Sequence, residues 1–341
     1  DYVPNLQLLG GAVYLSPTYQ TNGPIVRLDL NGATLASTNR VNGALNFNSG
    51  YVSGPLTISS NGVLNWSSGR FASGSSLLVA SNGLANLLGS GEKDLGGAMT
   101  NYGSVIWSGG AFYVMNNNSS YFGAVTNLGL WEMQGDLTLG RYYGNASESF
   151  GNGGIWRKTD GSGAGLVSVA FNNGPGGTVD VESGTLRFDT GLRMDGTFVA
   201  AAGTVIAFNG GTFAYVPPSR FTGSGQYQLT GGTLQGLDNY LPNLRLLGGT
   251  VYLSPTYQTN GPIVRLDLNG ATLAGANQVV GVLNATNGSI SGSLEALSNA
   301  VVNLNGTYAY GPSMVRSNAT LNWFSGRFAP GSSLLVESNA L

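Results

Sequence analysis

The sequence predicts an all-β fold, a right-handed parallel β-helix (a solenoid) of about 16 coils of 17–29 residues. Three observations carry that prediction: a long passage that occurs twice, a ladder of apolar-x-apolar triplets, and Gly-rich corners with no helical periodicity anywhere. The 33 residues from Pro4 to Ala36 recur from Pro242 to Ala274, 238 residues on. Only two positions differ: Arg245 stands for Gln7 and Thr250 for Ala12. The likeness resumes from Leu64 and from Leu321, now 257 residues apart, so the second copy holds 19 extra residues. A whole unit inserted without disturbing its successors means that each unit packs mainly on its neighbours.

That insertion measures the coil. Asn46 and Asn65 sit 19 residues apart in A-L-N-F and V-L-N-W, and Asn284, Asn303 and Asn322 repeat the spacing. Extending the triplet both ways gives central positions at Gln7, Asp29, Asn46, Asn65, Asn86, Ile106, Glu132 and Arg157. The ladder continues through Asp180, Val199, Gln228, Arg245, Asp267, Asn284, Asn303 and Asn322. Alternation turns the flanking Leu, Val, Phe and Trp side chains to one face and the central residue to the other. Lys158, beside Arg157, is the one clear departure from apolar flanks.

After each triplet comes a Ser/Gly turn and a second short strand, as in Ser67–Phe71, Ser108–Phe112 and Glu182–Phe188. Glycine suits corners whose backbone angles a Cβ forbids. Parallel crossovers favour right-handed winding. Coils about 4.8 Å apart make a rod about 75 Å long. A β-propeller needs units of about 40 residues with four strands, and pairing the coils does not improve the match. A calcium-binding nonapeptide roll needs Asp in its turns, where this chain carries Ser, Asn and Thr.

Residues 1–341 therefore read as one continuous solenoid segment of a longer repeat protein. Residues 4–84 and 242–341 are duplicated coils, with 85–241 between them. The arrangement is a super-repeat of about 11 coils, begun again and cut off at Leu341.

The chain holds 341 residues, 55 of them Gly, with 9% charged, a net charge of −2 and neither Cys nor His. Fourteen scattered basic residues argue against nucleic acid as a partner. No apolar run is long enough to span a membrane as a helix, and the start on DYVPNL is no signal peptide. Without Cys and His there are no disulfides, no thiol chemistry, no His-based triads and almost no route to zinc, and no cofactor is expected. Abundant Asn, Ser, Thr and Gly with few Lys and Glu suits an exported bacterial β-protein.

The Asn runs (Asn46, Asn65, Asn86 and Asn284, Asn303, Asn322) are expected to form structural ladders of stacked amides, more than a glycan-binding stripe. Glu132, Arg157 and Asp180 read as vertical salt bridges. Phe47, Trp66, Trp107, Trp131, Trp156 and Trp323 belong to the core, while Tyr142, Tyr143, Tyr308 and Tyr310 lie outside the triplets. Tyr142 and Tyr143 are thus candidate ligand contacts. Of eight Asn-x-Ser/Thr sequons (Asn65, Asn117, Asn118, Asn145, Asn284, Asn287, Asn305 and Asn318), Asn117, Asn118 and Asn145 fall in the longest loops and are the candidate glycosylation sites. Carboxylates are sparse, and the nearest to a catalytic grouping is Asp180 and Glu182, followed by Arg187, Asp189, Arg193 and Asp195.

The phrases NGVLNWSSGRF, GSGEKDLGGAMTNYGSVIWSGGAF and GGTVDVESGTLRF resemble the β-strand repeats of large bacterial surface proteins. Autotransporter passenger domains and filamentous-haemagglutinin-like adhesins are of this kind. The resemblance is one of style along most of the chain and implies an exported β-helical stalk or fibre. The leading expectation is a structural component of an extracellular or cell-surface fibre without catalysis, associating end to end or continued by further coils. A glycan-binding adhesin comes second, and a polysaccharide lyase or hydrolase using Asp180 to Asp195 third.

Overall fold

The computed structural model describes residues 6–21, 23–144 and 147–341. They form an all-β parallel β-solenoid of about 15 turns. Each turn runs through up to three short strands, as in Ser104–Trp107, Phe112–Val114 and Ala124–Asn127, and these pair in parallel with their equivalents in the turn before or after. Three faces result, called here first, second and third in the order the chain visits them. Among the described residues there is no α-helix, only two single 3-10 turns, and so no helix long and apolar enough to cross a membrane.

Alternation sets the core. In Val63–Trp66 the side chains of Leu64 and Trp66 are buried while Asn65 stands outside, and Leu84–Leu87 and Thr178–Val181 repeat the pattern. Inward rings stack along the axis: Phe47 on Trp66 with centroids 5.8 Å apart, Trp131 on Trp156 at 6.1 Å, and Phe150 on Phe171 at 5.2 Å. These five aromatic residues of the triplets, Phe47, Trp66, Trp107, Trp131 and Trp156, are fully buried. Burial of this kind, at about 25 cal/mol per Å² of apolar surface, supplies most of the stabilisation. Trp323 differs: it lies in the last turn and is 46% exposed.

Corners decide where glycine is obligatory. Gly50 and Gly69 hold φ of +102° and +100° at the turn from first to second face. A Cβ on Gly50 would lie 2.2 Å from the Ala33 carbonyl oxygen, and one on Gly69 would lie 2.7 Å from that of Gly50. The strands can therefore stack closely only while both positions lack a side chain.

The register corrects the ladder in one respect. From Asp29 to Val199 the central positions follow one another on the first face as expected. Val199, however, pairs with Thr222, and Gln228 pairs with Ala207 on the second face. The apparent 29-residue coil is thus a shorter turn plus a step to the next face. From Gln228 onward the ladder, through Arg245 and the duplicated passage, runs on the second face. The super-repeat is therefore not a whole number of turns, and the second copy is rotated one face round the axis.

Two lysines occupy inward positions. Lys158 is fully buried, and its amine donates to the carbonyls of Asp160 (2.6 Å), Gly161 (3.0 Å) and Ser183 (3.1 Å) and pairs with Asp136 at 3.1 Å. Its ammonium thus plugs a corner whose carbonyls point inward. Lys93 does the same for Gly91 (2.7 Å) and Gly109 (2.8 Å), where Trp107 Nε1 donates to Gly109 and Gly110. Burial pushes the Lys93 ammonium down from 10.5 to about 8. Between about pH 8 and 10 the unfolded chain then holds a proton that the folded chain has released, so stability rises with pH in that window. Above pH 10 the trend reverses, because burial raises Tyr215 and Tyr227 to about 12 and their ionisation favours unfolding. Melting temperatures should climb from pH 7.5 to 9.5 in the wild type and stay flat in Lys93→Met, which should also melt lower throughout because it strands carbonyls. A wild-type melting temperature independent of pH over that range would contradict the assignment.

Candidate binding surface

Two loops follow second-face strands, at residues 115–123 and, among the described residues, at 141–144 and 147–148. The first is shaped by its asparagines. Asn117 Oδ1 accepts from the backbone N–H groups of Ser119 (3.1 Å), Ser120 (2.9 Å) and Tyr121 (3.0 Å), and Asn116 Oδ1 accepts from that of Asn118 (3.0 Å). Such local bonds are why Asn initiates turns. Asn118 Nδ2 donates to Ser147 Oγ and Ser73 Oγ to the Ser120 carbonyl, so the loop is tied to the second loop and to an earlier turn. In the second loop the buried Glu148 carboxylate accepts from the Tyr143 N–H at 2.6 Å.

The two loops bring Tyr121, Tyr142 and Tyr143 together beside Tyr113 of the strand Phe112–Val114. Tyr142 packs edge-on against Tyr143 at 5.1 Å and against Tyr113 at 6.4 Å, and Tyr121 lies 5.9 Å from Tyr143. Tyr142 is 45% exposed and Tyr143 42%. Beneath them, outward positions of successive turns on the second face carry Arg70, Asp94, Tyr113 and Gly140. A Cβ at position 140 would lie 2.4 Å from the Tyr113 ring, so the missing side chain lets that ring lie across the strand. Arg70 pairs with Asp94 at 2.8 Å and places its guanidinium 5.3 Å from the Tyr142 centroid. Partial burial opposes the Arg70 charge, but the bonds to Asp94 outweigh it and hold its pKa above the ordinary value. The result is an outward aromatic patch on an internally neutral ion pair.

Of the glycosylation candidates, Asn117 is half-buried with its carbonyl engaged, Asn118 is exposed, and Asn145 lies outside the described residues. The asparagine runs each start on an aspartate. Asn46 donates to Asp29, Asn65 to Asn46 at 2.8 Å, and Asn86 to Asn65 at 2.9 Å. In the second copy Asn284 donates to Asp267 at 2.6 Å, Asn303 to Asn284 and Asn322 to Asn303, both at 2.7 Å. An acceptor-only carboxylate at the foot makes every amide above it donate in the same direction. Of the charged trio, Arg157 bonds Asp180 at 3.0 Å, whereas Glu132 accepts from Gln134 at 2.6 Å.

The carboxylates from Asp180 to Asp195 do not converge. Asp180 and Glu182 both grip Arg157 on the first face, Asp189 pairs with Arg187 after the second-face strand, and Asp195 with Arg193 after the third-face strand. Among the described residues no three His, Cys, Asp or Glu side chains are grouped to hold a metal. Grooves of about 580 and 510 Å³ flank the duplicated Ser-Pro-Thr-Tyr loop, beside Pro17 and Asn39 and beside Pro255 and Asn277. They are lined mainly by proline, glycine, alanine and small polar residues, with no charged cluster. Tyr308 and Tyr310 stack at 6.5 Å, and Arg327, the counterpart of Arg70, lies 5.1 Å from Tyr308. That smaller pair stands one face round from its first-copy equivalent.

Sequence reasoning missed Arg70, Asp94, Tyr113 and Tyr121, because only second-face pairing and loop contact bring them to Tyr142. It also missed a buried ladder on the third face, where Asn101, Asn127, Asn152 and Asn173 bond in turn at 2.7, 2.8 and 2.8 Å. The chain matches no protein-family model, and no curated protein or solved structure is similar to it.

Proposed function

We propose that this chain is a rigid structural segment of an extracellular or cell-surface β-helical fibre or stalk, of the kind found in large bacterial surface proteins. The observation that carries the reading is continuity: one apolar core runs the length of the solenoid, and strands pair from turn to turn from Ala12 to Val336. Stacked turns of this kind give length and rigidity, with the backbone bonds shielded from proteases. The low charge and the lack of Cys and His suit a wall-like role outside the cell.

In the proposed fibre such rods associate end to end or are continued by further turns, since open strands at a solenoid end pair readily. Electron microscopy of the native material tests the reading. Rods or fibres longer than one chain are expected, and isolated particles of a single chain's length would sink it.

A further inference from the structure

We propose that the aromatic patch formed by Tyr113, Tyr121, Tyr142 and Tyr143 over the Arg70–Asp94 pair binds neutral hexopyranose oligosaccharides. Four tyrosines gathered outside the solenoid, beside a loop shaped by asparagine bonds, need a reason, since large apolar rings gain stability when buried. Tyr142 and Tyr143 keep more than two-fifths of their surface in solvent, and Tyr142 is held in place by Arg70. The rings are thus pre-positioned, which lowers the ordering cost of binding.

The chemistry of the patch selects the ligand. Ring faces and edges take the C–H faces of a sugar, while the tyrosine hydroxyls and the guanidinium take its hydroxyl groups. Charge argues for a neutral ligand. Arg70 is compensated by Asp94 at 2.8 Å, and the adjoining loop carries one residue of each sign, Arg141 and Glu148. An acidic saccharide finds no uncompensated cationic cluster, and a basic peptide no anionic one. A protein partner needs about 800 Å² on each side, far more than four part-exposed rings supply.

The inference does not depend on fibre formation, because single rods in solution suffice for its test. The full chain is titrated calorimetrically with cellohexaose, maltohexaose, mannohexaose and hexagalacturonate. Saturable binding of at least one neutral hexamer is expected, with hexagalacturonate weaker. The double variant Tyr142→Ala/Tyr143→Ala should lose at least tenfold in affinity, while Tyr310→Ala, on another face, keeps wild-type affinity. Far-UV circular dichroism and melting temperature establish that each variant is folded. Should the loop variant misfold, Tyr142→Phe/Tyr143→Phe keeps the rings, removes both hydroxyls and should lose about threefold or more. Binding of none of the neutral hexamers, tighter binding of hexagalacturonate, or wild-type affinity in the folded variants would overturn the proposal.

Discussion

Deleting residues 284–302 should leave a folded solenoid one turn shorter, whereas deleting residues 284–293 should unravel everything beyond the cut. The first deletion removes the 19 residues that separate Asn284 from Asn303 along the ladder. Asn303 then follows Leu283 and takes the place of Asn284 above Asp267, with Leu304 where Ala285 was. The first copy already shows this arrangement, since Asn46 lies above Asp29 and Asn65 follows 19 residues later. The shorter deletion instead brings Leu294 to position 284. Its strand, Leu294–Ala296, belongs to a different face of the turn and pairs with Ser313–Val315. Every later strand is then out of step with its corner, and a period-2 pattern forced out of step places its polar side inward. Limited proteolysis with mass spectrometry reads the outcome. The 19-residue deletion should keep a resistant C-terminal region, and the 10-residue deletion should lose it from about residue 284. Equal resistance in the two would remove the case for turn-by-turn modularity.

The same logic explains what could be read from the sequence. Turn size was legible because an inserted unit measured it, and the inward Leu64, Trp66, Trp107 and Trp156 because period-2 alternation needs no long-range information. The change of face between Val199 and Gln228 was not. The true successor of Val199 is Thr222 in Arg-Phe-Thr, with a single apolar residue, whereas Tyr-Gln-Leu around Gln228 imitates a first-face triplet. Lys158 stood out only as a departure from the apolar flanks, and nothing marked Lys93, because the carbonyls that receive them come from corners one turn apart. Tyr142 and Tyr143 could be picked out by lying outside the triplets, but their neighbours Arg70 and Tyr113 come from two other turns. The face shift also has a functional consequence: identical surfaces of the two copies point in different directions, so Arg70 and Arg327 address different sides of the rod.

Replacing Asn127 should destabilise this protein far more than replacing Asn65, although both are amides in a stack of amides. Asn65 stands on the outer face, where its neighbours Asn46 and Asn86 are only partly buried and water can take over a lost bond. Asn65→Ala should cost about 0.5–1.5 kcal/mol, the ordinary net worth of a hydrogen bond. Asn127 is fully buried at the corner from third to first face. Its Nδ2 donates to Asn152 Oδ1 at 2.8 Å and to the Ile155 carbonyl at 3.1 Å, and its Oδ1 accepts from Asn101 Nδ2 at 2.7 Å. Removing it strands a donor and two acceptors away from water, each at about 1–3 kcal/mol. Asn127→Ala should therefore cost on the order of 3–9 kcal/mol. The wild-type positions above and below the ladder are Val79 and Met194, so the site itself accepts apolar side chains where no amide waits for a partner. Replacing all four (Asn101, Asn127, Asn152 and Asn173) by Val, Leu or Met should accordingly cost less per site than Asn127→Ala alone, because no amide is left unpaired. Solenoids can unfold in parts, so hydrogen exchange of the strands Ala98–Asn101 and Ser149–Asn152 gives the local reading beside the global melt. If Asn127→Ala and Asn65→Ala prove equally mild, the buried ladder is wet or loosely packed, and the stabilising role assigned to it fails.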